Sequence, residues 1–238
     1  MNQKYELVEI ESLLFVRLKN HLCLLDTASP FSYFKKGCEV IDGIEYKSNA
    51  LFTEILSTRM AELSAVIKKR FKITGIIGTD IILTTGITIY KKEGYVVFQS
   101  NELDTKLELD FKKHMVKNQG YIVFPNLFIT GMTQEGYHPI VLDTGACVSV
   151  LRGSLCTHAQ YAYRRDYYYP SLGRVLNSDF MFFTLEDKTQ IRIVAASNRD
   201  TDIDSQFDFI GVDGELCFHD FGFEVLSINI EAKKISWI

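Results

Sequence analysis

Residues 139–146 read Pro-Ile-Val-Leu-Asp-Thr-Gly-Ala, an apolar run that ends on an aspartate followed by threonine and two small residues. The same order stands once earlier, at 22–29, as Leu-Cys-Leu-Leu-Asp-Thr-Ala-Ser. The two aspartates, Asp26 and Asp143, are 117 positions apart in a chain of 238 residues. A strand-forming run that closes on a carboxylate is costly unless the charge is satisfied or used. The small third residue, Ala28 or Gly145, lets another backbone approach closely. One such step is an ordinary strand-to-turn junction; two, at half-chain spacing, point to a repeat.

The repeat continues outward from these steps. Upstream lie Leu13-Leu-Phe-Val-Arg-Leu18 and Leu127-Phe-Ile-Thr-Gly. Downstream of Asp26 comes Ile73-Thr-Gly-Ile-Ile-Gly-Thr-Asp80, then a hairpin pattern from Gly86 to Phe98. Downstream of Asp143 come Phe209-Ile-Gly-Val-Asp-Gly-Glu-Leu216, His219-Asp-Phe-Gly222 and a second hairpin pattern, Ile228 to Trp237. Each closing hairpin turns on a Lys-Lys pair. Short apolar runs broken by turn residues predict strands. An aromatic content of 13% favours the same class. The expected fold is mainly β. It has an N-terminal lobe over 1–100, a charged linker or crossing strand over 101–120, and a C-terminal lobe over 121–238, related by an approximate twofold.

One segment departs from the β pattern. From Ser48 to Phe71 the apolar positions (Leu51, Phe52, Ile55, Leu56, Met60, Leu63, Val66, Ile67, Phe71) fall at helical spacing. That predicts one long amphipathic helix in the N-terminal lobe. It is capped by Ser48 or Asn49, and Lys68-Lys69-Arg70 stands at its negative end. The comparable stretch of the second half, Phe180 to Val194, reads as a β-hairpin.

Composition bounds the remaining function classes. With 47% hydrophobic residues the chain is globular rather than disordered. A net charge of −4 gives no drive toward nucleic acid or anionic lipid. Five scattered cysteines form neither a disulfide framework nor a metal cage, and the five histidines add no ligand spacing, so no metal is expected. The start lacks the order of a signal peptide, and no apolar run approaches the ~18 residues of a membrane span. A cytoplasmic protein is therefore expected. Cys147 reads as a buried thiol and Tyr161–Tyr169 as an aromatic loop near the cleft; Asp104-Thr105-Lys106 is a decoy that lacks both the small residue and the apolar strand of the repeated step.

If the twofold brings the two Asp-Thr loops together, the carboxylates meet. Like charges about 3 Å apart cannot both ionise, so the pair holds one shared proton. The ionised member takes a proton from water while the protonated one polarises a carbonyl. Thr27 and Thr144 are placed to donate to the opposite loop. Ser29 stands where the second loop has Ala146; a hydroxyl donor lowers a carboxylate's pKa, which would make Asp26 the ionised member and Asp143 the proton carrier.

Asp143-Thr144-Gly145-Ala146 after an apolar strand, with a downstream apolar-Gly segment and a terminal hairpin, resembles a lobe of the retropepsin and pepsin families of aspartic peptidases. Two such lobes in one chain resemble the two-lobed, pepsin-like enzymes. The resemblance covers most of each half but skips the helix and the linker. It implies two pseudo-symmetric β-barrel lobes, monomeric endopeptidase activity on a polypeptide bound extended across the cleft, and no cofactor. Asp26 and Asp143 would be the catalytic pair, with Thr27, Ala28, Ser29, Thr144, Gly145 and Ala146 as supporting loops. The alternative is a catalytically silent relative that binds peptide or protein. Three departures bear on the choice. Ala28 replaces the family's glycine. The family's flap is reduced to a short hairpin, Glu39 to Tyr46, or is absent, or is supplied by Phe180 to Val194. The second apolar-Gly segment is either Phe209-Ile210-Gly211 or Glu215-Leu216-Cys217, the latter with cysteine at the glycine position.

Overall fold

The computed structural model describes residues 3–10, 12–50, 53–54, 57–58, 61, 72–104, 107–110, 112–118, 122–133, 136–146, 149–152, 160–163, 167–169, 173–175, 178–185, 190–197, 207–208 and 211–238. The chain is mainly β and divides into two compact units, Met1–Phe111 with Phe223–Ile238, and Lys112–Gly222.

The first unit is built on one sheet. Tyr5–Ile10, Leu13–Leu18 and His21–Leu25 form an antiparallel meander. Ile73–Ile77 then runs parallel to His21–Leu25, and Tyr33–Phe34 pairs antiparallel on its far edge. The parallel strand therefore lies between two segments that precede it in sequence. His21–Leu25 is buried at every position. A strand enclosed on both faces loses the apolar-polar alternation of a half-exposed one, and Leu22-Cys-Leu-Leu shows that run. After Gly78 the chain turns into a short helix, α1 (Thr79–Thr85).

In the second unit Lys112–Asn118, Ile122–Thr133 and Gly136–Asp143 form the meander. Gly214–Cys217 runs parallel to Gly136–Asp143, and Ser149–Leu151 pairs antiparallel on its other side. A 3-10 turn, Phe218–Phe221, follows. This order matches the first unit strand for strand. Ser178–Leu185 and Gln190–Ser197 form the expected hairpin, which joins the same sheet. The aromatic stretch contributes the strands Gln160–Tyr163 and Tyr167–Tyr169.

Several expectations are corrected. The closing hairpin, Val225–Asn229 with Lys234–Trp237, is assigned by the repeat to the second lobe. It instead pairs with Ile87–Tyr90 in the first unit's sheet. The expected linker 101–120 holds the strands Leu107–Asp110, on Lys234–Trp237, and Lys112–Asn118, on Ile122–Thr133. Among the described residues the first unit's large sheet is open, with Leu107–Asp110 and Tyr33–Phe34 at its edges; in the second unit Ile122–Thr133 pairs also with Ser178–Leu185, Gly131 with Leu185 and Met132 with Thr184. Of the helix expected over 48–71, residues 53–54, 57–58 and 61 are helical, and most of the rest lies outside the described residues. Thr53 and Thr58 donate to the carbonyls of Asn49 and Glu54, four residues back, as helix threonines do.

The short hairpin between the first Asp loop and Ile73–Ile77 is formed by Cys38–Ile41 and Ile44–Lys47. Its two-residue turn places Asp42 at φ 50° and Gly43 at φ 81°. Paired positive φ values match the twist of the flanking strands and favour Asp-Gly. Tyr5 anchors the tip: its hydroxyl donates to Asp42 Oδ1 (3.0 Å) and accepts from the Asp42 amide (2.7 Å). At the base, buried Glu39 bonds His21 Nε2 at 2.9 Å. Ile41 is buried while Val40 and Ile44 face outward.

Candidate functional site

Asp26 follows His21–Leu25 directly, and its amide donates to the Ile77 carbonyl (3.0 Å), continuing the parallel ladder by one step. The pairings Leu24 with Ile76 and Leu25 with Ile77 set that register, so Gly78 stands opposite Asp26. The side chain is fully buried. Its Oδ1 accepts from the amides of Ala28 (3.0 Å) and Ser29 (2.7 Å), so the turn that follows the aspartate aims its own carboxylate.

A second layer holds that turn. The Ser29 carbonyl accepts from the Thr79 amide (2.8 Å) and the Thr79 hydroxyl (3.1 Å) at the start of α1. The Gly78 amide donates to Ser32 Oγ at 2.8 Å. Ser32 in turn donates through its hydroxyl to Asp80 Oδ1 (2.6 Å) and through its amide to Asp80 Oδ2 (3.0 Å). The backbone packs so closely here that a Cβ on Gly78 would lie 2.7 Å from the Ser29 oxygen and from the Phe31 carbonyl carbon.

In the second unit Asp143 is the last residue of its strand, is fully buried, and pairs with Cys217 in the parallel register. Its Oδ1 accepts from the Gly145 amide, two residues on, as Asp26 Oδ1 does from Ala28. The Cys217 amide donates to Ser149 Oγ at 3.0 Å, as Gly78 does to Ser32. The Cys217 thiol donates to the Ala146 carbonyl at 2.9 Å. Thr27 and Thr144 are both buried.

The register decides between the two candidate segments. Gly214–Cys217, not Phe209-Ile210-Gly211, is the counterpart of the strand that ends before Gly78, and Cys217 stands where the first unit has Gly78. Gly211 sits in a turn at φ 79°, its amide donating to the Phe207 carbonyl (2.7 Å). The expected role of the Ser29 hydroxyl is also corrected. It donates to the Phe31 carbonyl at 2.9 Å, and the Asp26 carboxylate is served by the Ser29 amide instead. The side-chain difference between Ser29 and Ala146 therefore no longer distinguishes the two aspartates. Cys147 and most of Asp104-Thr105-Lys106 lie outside the described residues.

Sequence reasoning missed Ser32 and Ser149. Both are fully buried hydroxyls that tie the loop to the parallel strand. The signal was present: each follows its aspartate by six residues. Thr79 stands within the repeat, but its two bonds to Ser29 depend on the turn into α1.

Among the described residues no three His, Cys, Asp or Glu side chains group as a metal site, and no helix is long and apolar enough to cross a membrane. No family model matches the chain, and no curated protein sequence matches it.

Proposed function

We propose that the protein is an aspartic endopeptidase whose catalytic pair is Asp26 and Asp143, one from each of two pseudo-symmetric lobes. One observation carries the reading. In both units an aspartate stands at the buried C-terminal end of a strand, at the same place in the same five-strand order. Its Oδ1 is bound by the following turn, and a buried serine six residues on ties the neighbouring parallel strand. A turn capped by chance does not require this second layer.

In the proposed reaction one carboxylate removes a proton from a water molecule, whose oxygen attacks the carbonyl carbon of an extended polypeptide. The other, protonated, carboxyl donates to the carbonyl oxygen. Collapse of the tetrahedral intermediate breaks the C–N bond and delivers a proton to the leaving amine. Backbone amides on Oδ1 fix each carboxylate before substrate arrives, so little reorganisation is left for the transition state.

The test is cleavage of an unfolded protein between about pH 3 and pH 8, with and without the transition-state mimic pepstatin. Asp26→Asn and Asp143→Asn should each lower kcat by roughly 10²–10⁴-fold, the range for loss of a general acid or base, with the fold retained. Full activity in either variant overturns the assignment. Intact substrate at every pH, with peptide binding retained, moves the reading to the silent binding module, for which the methyl of Ala28 in the first loop is the specific argument.

A further inference from the structure

We infer that Cys217 is the positioning residue for Asp143: its thiol, by binding the Ala146 carbonyl, holds the turn that aims the carboxylate. The inference rests on the reading of Asp143 as a catalytic group and extends it to a residue unlike its counterpart in the first unit.

The two units solve one problem differently. In the first, the carbonyl three residues after the aspartate, that of Ser29, is fastened by Thr79 through both its amide and its hydroxyl. The backbone can come that close because Gly78 carries no side chain. In the second unit the residue after Cys217 is Phe218, which has no hydroxyl to offer. The equivalent carbonyl, that of Ala146, is reached by the side chain of Cys217 itself, at 2.9 Å.

The direction of that bond is determined. A carbonyl oxygen only accepts, so the S–H donates to Ala146, while the His219 amide donates to the Cys217 sulfur at 3.4 Å. The cysteine backbone is fixed on both sides, by the register with Asp143 and by its amide on Ser149 Oγ. The side chain is 1% exposed, so water does not compete. Only Thr144 and Gly145 separate the fastened carbonyl from Asp143, and the Gly145 amide is the one that binds Asp143 Oδ1. Releasing Ala146 loosens the turn at the group that orients the carboxylate. A thiol is a weak donor, but a buried carbonyl deprived of its partner carries the full desolvation penalty.

The experiment is residue-resolved amide exchange on the full chain, comparing wild type with Cys217→Ala, Cys217→Val and Cys217→Ser. Alanine and valine remove the donor, valine with the volume largely kept; serine retains a donor. Exchange at Gly145 should accelerate about fivefold to tenfold in the alanine and valine variants, the size expected for one lost hydrogen bond. Exchange at the buried strand amides of Leu142 and Val150 should not change, and serine should restore protection. Unchanged Gly145 exchange, or equal acceleration at all three amides, overturns the inference, the latter because it marks a merely structural role. In the cleavage assay the donor-less variants should lose kcat with KM unchanged, and serine should recover it. If wild type cleaves nothing while Gly145 still responds, the peptidase reading falls and the positioning of Asp143 stands.

Discussion

Gly78→Ala is the most exacting test of how the first aspartate is held. Gly78 has φ −98° and ψ −174°. That extended conformation is open to any residue, so the substitution brings no backbone strain. Its whole effect is steric. The added Cβ would meet the Ser29 oxygen and the Phe31 carbonyl carbon at 2.7 Å and the Phe31 oxygen at 2.8 Å. All three are backbone atoms, so no side chain can rotate aside, and overpacking of this kind costs roughly 1–3 kcal/mol. Moving the loop away also stretches the bonds from Thr79 to the Ser29 carbonyl (2.8 Å) and from Ser29 to Asp26 (2.7 Å). Each of those bonds is worth about 1 kcal/mol. The expected loss is therefore about 3–5 kcal/mol, a large share of a typical folding stability of about 5–15 kcal/mol. In urea titration, at a slope of about 1–3 kcal/mol per molar, the midpoint should fall by at least about 1 M.

Gly43→Ala is the internal comparison. Its φ of 81° strains any L side chain, yet nothing lies within 4 Å of the added methyl. The cost there is about 1–2 kcal/mol. If Gly78→Ala proves no more destabilising than Gly43→Ala, the close packing behind the Asp26 loop is wrong.

In Tyr5→Phe the Asp42 amide and carboxylate both lose their partner. The fold should lose about 1–2 kcal/mol, and amide exchange in residues 38–47 should rise first. Burial, chiefly, pushes the Tyr5 hydroxyl up to about 12 from an ordinary value of 10.0. Folding thus favours the neutral phenol: the stabilisation is complete below pH 10 and is lost as the pH climbs from 10 toward 12. Denaturant midpoints across that window should decline more steeply for wild type than for Tyr5→Phe; parallel curves would contradict the buried hydroxyl. Arg152→Lys should cost about 1–2 kcal/mol. One ammonium cannot replace a guanidinium that reaches Asp213 Oδ1 (3.0 Å), Asp208 Oδ1 (2.9 Å) and the Val212 carbonyl (2.9 Å) together. An unchanged unfolding midpoint would show the cluster to be unimportant.

The strands and the two aspartates were legible because their signals are local. A buried strand must be apolar along its length, as Leu22–Leu25 is, and a turn that binds its own carboxylate needs short spacing, as in Asp26-Thr27-Ala28. Asp42-Gly43 marked its turn by the same local chemistry. What stayed hidden was pairing between distant residues. Phe209-Ile210-Gly211 and Glu215-Leu216-Cys217 are both apolar-small segments, and only the parallel register with Asp143 distinguishes them.

By itself the sequence determined that this is a mainly β chain carrying a duplicated aspartate turn, because side-chain alternation and turn chemistry act over a few residues. Tertiary structure alone decided that the last hairpin joins the first unit, that the Ser29 hydroxyl turns to Phe31, and that a thiol occupies the place of a glycine. Those outcomes depend on which backbone groups arrive beside one another after folding. Hydrogen-bond competition at that point is settled by distance and burial, which no local pattern encodes.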